Sequence, residues 1–307
     1  MSSYTIGLDI GGTHIRIGLR ESAGMTEHFE KTARDLILNG RDSVDSLARF
    51  IMEYVWKYKG GNMPENIVFG FPATLDAARR TVLQAPNIPG IDNLSADALE
   101  KKLGIKVYFE KDVNLLLLCD MEDLGLPDEG ITAGIYIGTG IGNAIFLNGV
   151  PLVGKNGAAG ELGHIPRGEN SKRCGCGNFG CAECFGSGLR LQEIWRESFP
   201  DTPLNELFVR HWEDPILQRF LDELACTVAA EVNILDPDWL VLGGGVLNMD
   251  GFPFAAFQEK ILLHTRKPYP AANLRILRSK DGVENGVRGA LQLGWLKLSE
   301  RGAKDGN

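Results

Sequence analysis

The chain has 307 residues, which is long enough for two domains of ordinary size with separate hydrophobic cores. Its composition, 44% hydrophobic and 23% charged, is typical of a soluble globular protein, and no apolar run approaches the roughly 20 residues that cross a bilayer. The formal net charge of −8 argues against general nucleic-acid binding, which usually requires a basic surface. Because the sequence shows no signal peptide, we expect a cytoplasmic protein that binds neither membranes nor nucleic acid.

The first 124 residues predict alternating strands and helices. Short apolar runs predict strands over residues 4–10, 14–20, 27–32, 67–71 and 105–110. Apolar residues at helical spacing predict helices over residues 43–58, 95–103 and 112–122. Strands followed by helices indicate an α/β domain.

A polar joint containing Pro and Gly at residues 125–130 marks the predicted domain boundary. We therefore expect a small N-terminal domain over residues 1–124 and a larger C-terminal α/β domain over residues 125–307. The second part predicts strands over residues 132–137, 141–147, 239–242 and 274–277. It predicts helices over residues 188–197, 214–235, 252–264 and 283–298. The last of these helices is expected to pack back on the first domain.

Glycine clusters follow three of the predicted strands, in the stretches LDIGGT, IYIGTG and LVLGGG. Their glycines and one threonine are Gly11, Gly12, Gly138, Thr139, Gly140, Gly243, Gly244 and Gly245. Glycine turns let backbone N–H groups approach phosphate oxygens closely, and the last cluster could seat the ribose and base of a nucleotide. Each cluster alone could equally be a tight structural turn. The repetition suggests two similar halves, which is the architecture of actin-like phosphotransferases.

Two aspartates are candidates for phosphoryl-transfer chemistry. Asp9 lies inside an apolar strand, where a carboxylate needs a partner, and with Thr13 it suits Mg²⁺ and phosphates. A structural hairpin with Asp9 satisfied by local amides is the alternative. Asp112 follows a strand and opens a helix, where it could accept a proton from a substrate hydroxyl. By spacing alone, a helix N-cap is the favoured interpretation of Asp112.

The loop over residues 157–184 is rich in potential metal ligands. His164, Cys174, Cys176 and Cys181 offer one imidazole and three thiolates, a closed tetrahedral set typical of structural Zn²⁺. The glycines between the cysteines permit the tight turns that such a site requires. A four-cysteine site that uses Cys184 in place of His164 is the alternative.

Three motifs together resemble the ROK family of bacterial sugar kinases and related sugar-responsive repressors. They are D-x-G-G-T-x-x-R at residues 9–16, E-x-G-H at residues 161–164 and C-x-C-G-x-x-G-C-x-E at residues 174–183. The resemblance extends over essentially the whole chain. Within the family, the stretches GFPA, PNIPG, KDVN and GELGHIP look most similar to members that phosphorylate D-allose.

The resemblance implies two actin-like (ribonuclease H-like) ATPase domains with ATP and Mg²⁺ in an interdomain cleft. It makes Asp112 the general base for transfer of the γ-phosphate to the 6-hydroxyl of a hexose, with D-allose as the expected substrate. The residues that it assigns to ATP, its phosphates and Mg²⁺ are Asp9, Gly11, Gly12, Thr13, Gly138, Thr139 and Gly140. The residues that it assigns to the sugar are Asn87, Asp112, Glu161, His164 and Glu183.

One departure from the family pattern bears on substrate choice. Many members have Asn immediately before the catalytic Asp, where this chain has Lys111. Because that Asn commonly contacts the sugar, the resemblance does not predict that this chain selects glucose. Glucose, fructose and N-acetylmannosamine remain alternative substrates. A sugar-sensing repressor is a further alternative, but the first strand begins at Tyr4 and leaves no room for a preceding helix-turn-helix. Family members are often dimers, so the resemblance also suggests a homodimer.

Overall fold

The computed structural model describes residues 3–21, 26–40, 42–168, 172–280 and 282–305, with side chains as far as residue 300. The chain forms two compact units: residues 1–125, 153–159 and 282–307 make the first, and residues 126–152 and 160–281 make the second. The C-terminal helix, which was expected to pack back on the first domain, belongs to the first unit together with residues 153–159. Part of the predicted zinc loop, residues 169–171, lies outside the described residues.

In the residues that the structure describes, the first unit contains seven strands and four helices before the chain enters the second. The strands are β1 (Tyr4–Ile10), β2 (His14–Glu21), β3 (Glu27–Ala33), β4 (Asn66–Phe71), β5 (Thr74–Leu75), β6 (Val82–Gln84) and β7 (Lys106–Lys111). The helices are α1 (Arg34–Ile37), α2 (Ser43–Lys59), α3 (Ala96–Leu103) and α4 (Asp112–Leu124). The short elements α1, β5 and β6 have too few residues for a periodic signal, and the sequence did not predict them.

Five of these strands form one sheet in the order β3-β2-β1-β4-β7. Strands β1, β2 and β3 pair antiparallel, whereas β4 pairs parallel with both β1 and β7. Alternate residues of β1 face opposite sides of this sheet, as strand geometry requires. Ile6, Leu8 and Ile10 are fully buried in the main core with α2 and α3. The remaining face of β1 therefore carries Thr5, Gly7 and Asp9.

The second unit repeats this topology. Its strands are β8 (Ile131–Ile137), β9 (Ile141–Leu147), β10 (Val150–Pro151), β11 (Trp239–Gly243) and β12 (Ile276–Arg278), and its helices are α5 (Gly188–Ser198), α6 (Leu207–His211), α7 (Pro215–Leu235) and α8 (Phe254–His264). The sheet order is β10-β9-β8-β11-β12. Here too β8, β9 and β10 pair antiparallel, whereas β11 pairs parallel with both β8 and β12. The predicted internal duplication is therefore present in the strand order and directions of both sheets.

Helix α9 (Asn285–Asp305) returns to the first unit and packs on the polar face of β1. A side-chain Cβ on Gly286 would lie 2.8 Å from the Asp9 carboxyl carbon, and one on Gly294 would lie 2.3 Å from Thr5 Oγ1. A Cβ on Gly7 would meet the helix backbone at 2.8 Å. Because glycines occupy these contacts, the start of α9 lies directly against the Asp9 carboxylate.

Helix ends follow the local chemistry of the sequence. The side chain of Ser95 accepts a hydrogen bond from the Asp97 amide at the start of α3, as its N-cap position predicts. Asp214 does the same for Ile216 at the start of α7. Helix α4 ends at Gly125, whose φ of 63° is a left-handed conformation that glycine adopts without strain. In the described part of the chain, no helix combines the length and apolar character needed to cross a membrane.

Candidate active site

Asp9 lies near the end of β1, directly opposite Arg16 of β2 in the strand register. Arg16 Nη1 donates to Asp9 Oδ2 at 2.8 Å. Burial raises the pKa of Asp9, and the charge and hydrogen bond of Arg16 oppose this effect without cancelling it. Asp9 is therefore a half-buried carboxylate with a single described cationic partner, a position suited to a bound cation. The sequence motif at residues 9–16 ends at Arg16 but gave this residue no role, although the hairpin around Gly11 and Gly12 fixes its position opposite Asp9.

Asp112 is the first residue of α4, and Lys111 occupies the N-cap position. Asp112 is therefore not the helix N-cap that spacing alone favoured. Its Oδ1 accepts a hydrogen bond from the Val113 amide at 2.9 Å. Burial and the charge of Asp9 raise the pKa of Asp112 to about 6, against the opposing effects of the Val113 amide and Lys111. A carboxylate with this pKa is ionised at neutral pH and can accept a proton from a hydroxyl.

Gly70 of β4 creates the space that Asp9 and Asp112 share. In the sheet register Gly70 lies beside Asp9, and a Cβ on Gly70 would come within 3.9 Å of the Asp112 Cα. The same Cβ would lie 2.6 Å from Leu115 Cδ1, so a larger residue here would displace the Leu115 side chain. The effect of the Asp9 charge on the pKa of Asp112 depends on this close approach.

The start of α4 is further fixed by Glu110, the last-but-one residue of β7. Glu110 Oε1 accepts from the Lys111 amide at 2.8 Å and from Asn114 Nδ2 at 2.8 Å. The Lys111 ammonium donates to the main-chain oxygen of Ala159 at 3.4 Å. Asp112 therefore lies at a helix terminus whose position is fixed by the side-chain hydrogen bonds of Glu110 and Lys111.

The predicted phosphate turn of the first unit lies against the segment that contains Asn87. A Cβ on Gly12 would lie 3.4 Å from the Asn87 main-chain oxygen. Arg34 connects the two segments: its amide donates to Thr13 O at 2.9 Å, and its Nη1 donates to Asn87 O at 3.0 Å. Thr13 Oγ1 is also 2.9 Å from Nδ1 of the neighbouring His14. Sequence reasoning missed Arg34 because its two contacts are distant in the chain.

In the second unit, two predicted phosphate turns adjoin one another. The turn between β8 and β9 contains Gly138 and Thr139, and the Gly138 carbonyl accepts from the Gly188 amide at 2.8 Å at the start of α5. A Cβ on Gly188 would lie 2.4 Å from that carbonyl oxygen. Gly244, in the turn after β11, lies so close to the end of β8 that a Cβ would meet its backbone at 2.5 Å. Gly243 ends β11, and Gly245 completes this turn with open space around its Cα.

Three predicted sugar ligands meet beside the first of these turns. A Cβ on Gly140 would lie 2.6 Å from Glu183 Oε2, so a side chain at this position would displace the Glu183 carboxylate. His164 Nδ1 is 3.6 Å from Glu183 Oε1, and His164 Nε2 is 3.8 Å from Glu161 Oε2. The two ring nitrogens of His164 therefore face different groups.

The four predicted metal ligands form a cluster in the second unit. One ligand atom from each of His164, Cys174, Cys176 and Cys181 lies within 4.8 Å of all the others. The Cys176 and Cys181 sulfurs are 3.7 Å apart, and Cys174 Sγ is 3.6 Å from His164 Nδ1. Two sulfurs bound to tetrahedral Zn²⁺ are about 3.8 Å apart, so the residues fit this ion. Cys184 lies outside the four-atom cluster, which favours the His164 set over the four-cysteine alternative.

The electrostatic surroundings of two cysteines differ. Burial, followed by the hydrogen bond to Glu183 at 3.0 Å, raises the pKa of the Cys174 thiol. The backbone amide of Asn178 lowers the pKa of Cys176, which favours the thiolate form that a metal binds.

Comparison with known proteins supports the assignment of a family. The sequence profile of the ROK family matches residues 5–295. A glucokinase from Thermotoga maritima is 29% identical over 280 residues, covering 84% of this chain and 86% of that protein. An N-acetyl-D-glucosamine kinase from Vibrio parahaemolyticus is 31% identical over 309 residues, covering 92% of this chain and 97% of that protein.

A solved structure also matches the whole architecture. It is a ROK family glucokinase from Streptomyces griseus in complex with glucose and AMPPNP, with a TM-score of 0.75 and 26% identity. The match covers 95% of this chain and 99% of that one. It confirms the predicted fold class, α/β with two actin-like (ribonuclease H-like) ATPase domains. The matches in sequence and in fold, over nearly the whole length, lead to one conclusion: this chain belongs to the ROK family.

Proposed function

We propose that this protein is an ATP-dependent sugar kinase in which Asp112 acts as the general base. The observation that carries the proposal is the environment of Asp112, at the carboxyl end of β7 and beside Asp9, with a pKa raised to about 6. Phosphoryl transfer depends mainly on positioning and charge stabilisation, and the hydroxyl needs a base as it attacks. The glucokinase structure in complex with glucose and AMPPNP supports ATP as the phosphoryl donor.

In the proposed reaction, Asp112 removes the proton of the sugar hydroxyl while its oxygen attacks the γ-phosphate of ATP. Asp9 would hold Mg²⁺, which neutralises charge on the phosphates, and its half-buried carboxylate beside Arg16 fits this role. The turn at Gly11–Thr13 and the turns at residues 138–140 and 243–245 would bind ATP through backbone N–H groups. A structural Zn²⁺ held by His164 and three cysteines would keep the loop in shape.

Asn87, Glu161, His164 and Glu183 would recognise the sugar hydroxyls. Carboxylates and amides suit a polyol because they accept or donate hydrogen bonds in fixed directions. Glu161 and Glu183 lie on opposite sides of the His164 ring, within 3.8 Å of its nitrogens. His164 Nδ1, which lies beside Cys174, can therefore bind the metal while Nε2 remains beside Glu161, a proposed sugar-binding residue.

D-allose, phosphorylated on its 6-hydroxyl, is the substrate that we propose first. The relatives described above are named for glucose and N-acetyl-D-glucosamine. The second of these sugars was not among the alternatives that the sequence suggested. Lys111 supports a substrate other than glucose, because a long cation held to Ala159 stands where many family members have Asn.

The test is ADP release measured over a panel of D-allose, D-glucose, D-fructose, N-acetyl-D-glucosamine and N-acetyl-D-mannosamine. We expect turnover with at least one sugar and the highest kcat/KM with D-allose. The Asp112→Asn variant should lose turnover, whereas Glu122→Gln, a matched change in the same helix, should keep it. No turnover with any sugar would refute the kinase, and a higher kcat/KM with another sugar would refute the allose proposal alone.

A second measurement addresses Lys111 and the position of transfer. Lys111→Asn should raise kcat/KM for D-glucose relative to D-allose, because it restores the residue found in many family members. Product analysis by phosphorus NMR should show a 6-phosphate ester. Unchanged relative preference in the variant would exclude Lys111 as a selectivity determinant.

A further inference from the structure

A second group of potential metal ligands lies in the second unit, between α7 and α8. Asp222 and Cys226 are four residues apart on α7, so their side chains project from the same face of the helix. His264 is the last residue of α8, which packs against α7. One ligand atom from each of the three residues lies within 4.8 Å of the other two. None of the three takes part in the proposed kinase chemistry.

The position of His264 is fixed by contacts on both sides of it in the chain. Asn233 of α7 donates through Nδ2 to the His264 main-chain oxygen at 3.4 Å, and its Oδ1 accepts from the Arg266 amide at 2.8 Å. Thr265 is only 1% exposed, and its hydroxyl donates to the Ile261 carbonyl at 2.8 Å. The end of α8 is therefore anchored to α7, and the imidazole is held towards the α7 ligands before any metal binds.

The three donors select a particular class of ion. An imidazole, a thiolate and a carboxylate suit Zn²⁺ and similar transition metals, whereas Mg²⁺ and Ca²⁺ prefer oxygen ligands alone. Three protein ligands also leave one tetrahedral position for water. All three side chains are half-buried, so an ion can reach them from solvent.

Metal entry would require one small rearrangement. His264 Nε2 now donates to Asp222 Oδ1 at 2.9 Å. Nitrogen and oxygen ligands of tetrahedral Zn²⁺ are about 3.4 Å apart, so the two groups must separate by about half an ångström. The Lys260 ammonium, 3.6 Å from Asp222 Oδ1, is a competing cation that the metal must displace.

We propose that Asp222, Cys226 and His264 form a second site for a Zn²⁺-class transition metal, which joins α7 to α8. Binding replaces the hydrogen bond between His264 and Asp222 with two metal–ligand bonds. The Cys226 thiol gives its proton to solvent and binds as the thiolate, and the His264 proton moves from Nε2 to Nδ1 so that the neutral imidazole binds through Nε2. The site is separate from the His164 cluster, shares no residue with it, and does not depend on the proposed kinase activity.

The test is titration of the full-length, zinc-loaded protein with Co²⁺, followed by the thiolate-to-cobalt charge-transfer absorption and by elemental analysis. The wild type should bind one more Co²⁺ per chain than Cys226→Ser or His264→Ala. Either variant should weaken this binding by about 100-fold or more, because a ligand lost from the metal costs at least as much as a supporting residue. The cysteines of the His164 cluster contribute equally to all these proteins.

Two further variants sharpen the result. Lys260→Met should bind Co²⁺ more tightly than the wild type, because the competing cation is gone. Glu259→Gln, which removes an exposed charge from the same helix, should bind as the wild type does. Zn²⁺ should raise the thermal midpoint of the wild type but not that of His264→Ala. Equal Co²⁺ binding by the wild type, Cys226→Ser and His264→Ala, with circular dichroism showing all three folded, would overturn the proposal.

Discussion

Replacement of Asp112 by Asn should lower activity and raise stability at the same time. The fold raises the pKa of Asp112 from 3.8 to about 6, chiefly through burial and then through the charge of Asp9. Ionised Asp112 is therefore unfavourable in the folded state, although the proposed reaction requires it. Asn keeps an oxygen that can accept the hydrogen bond from the Val113 amide and carries no charge.

The magnitude of the stability change follows from the pKa difference. A shift of about two units corresponds to about 3 kcal/mol at 1.36 kcal/mol per unit, which is an upper value because solvent relaxation reduces it. Because the folded pKa is raised, the contribution of Asp112 to stability is fully present below pH 3.8 and is lost as the pH rises through about 6. The variant should therefore match the wild type near pH 4 and exceed it by about 1–3 kcal/mol above pH 7.

The assay combines urea unfolding between pH 4 and pH 8 with the ADP-release measurement. Turnover should fall by a factor of about 10² to 10⁴, the usual contribution of a general base. In the wild type, kcat/KM should rise with pH through about 6 as Asp112 ionises. A stability difference that does not change with pH would refute the pKa argument. Turnover within tenfold of the wild type would refute the role as base.

Three other changes give distinct results. Gly140→Ala should weaken sugar binding and turnover, because the new Cβ would lie 2.6 Å from Glu183 Oε2, and unchanged KM and kcat would contradict the proposed site. Cys176→Ala and His164→Ala should each lose about one Zn²⁺ per chain by elemental analysis while Cys184→Ala retains it, and metal kept by His164→Ala but lost by Cys184→Ala would support the four-cysteine alternative. Gly289→Ala should destabilise the protein by about 3 kcal/mol in urea unfolding, because its Cβ would lie 1.9 Å from a carbonyl oxygen of α4. Helix propensity alone predicts the opposite sign, a gain of up to about 1 kcal/mol, so a stabilised variant would refute the packing argument.

Features that depend on residues close together in the chain could be predicted from the sequence. The hairpin around Gly11 and Gly12 follows from two apolar runs separated by a glycine turn, and β1 and β2 form there. The cysteine cluster is similar, because Cys174, Cys176 and Cys181 are held together by the short loops between them. The repeated pattern of strand and glycine cluster also predicted two similar halves, and the structure adds that their sheets share one strand order.

Features that join distant segments were decided only by the tertiary structure. The role of Asp112 is the clearest case, since its spacing suggested an N-cap, and its raised pKa arises from burial and from Asp9, more than 100 residues earlier. Arg34 connects Thr13 to Asn87, and Gly286 lets α9 approach Asp9. Local propensity carries no information about such contacts, because they depend on which elements pack against each other.

The two candidate metal clusters differ in the same way: one could be predicted from local sequence, and the other depends on tertiary packing. Most of the His164 cluster could be predicted from local sequence, because its three cysteines lie within eight positions, from Cys174 to Cys181. The second cluster has no motif, because the last part of α7, all of β11 and most of α8 lie between Cys226 and His264. Only the packing of α8 on α7 brings its imidazole to the carboxylate and thiol. The sequence determined which ligands were available, and the packing of the helices decided which of them could meet.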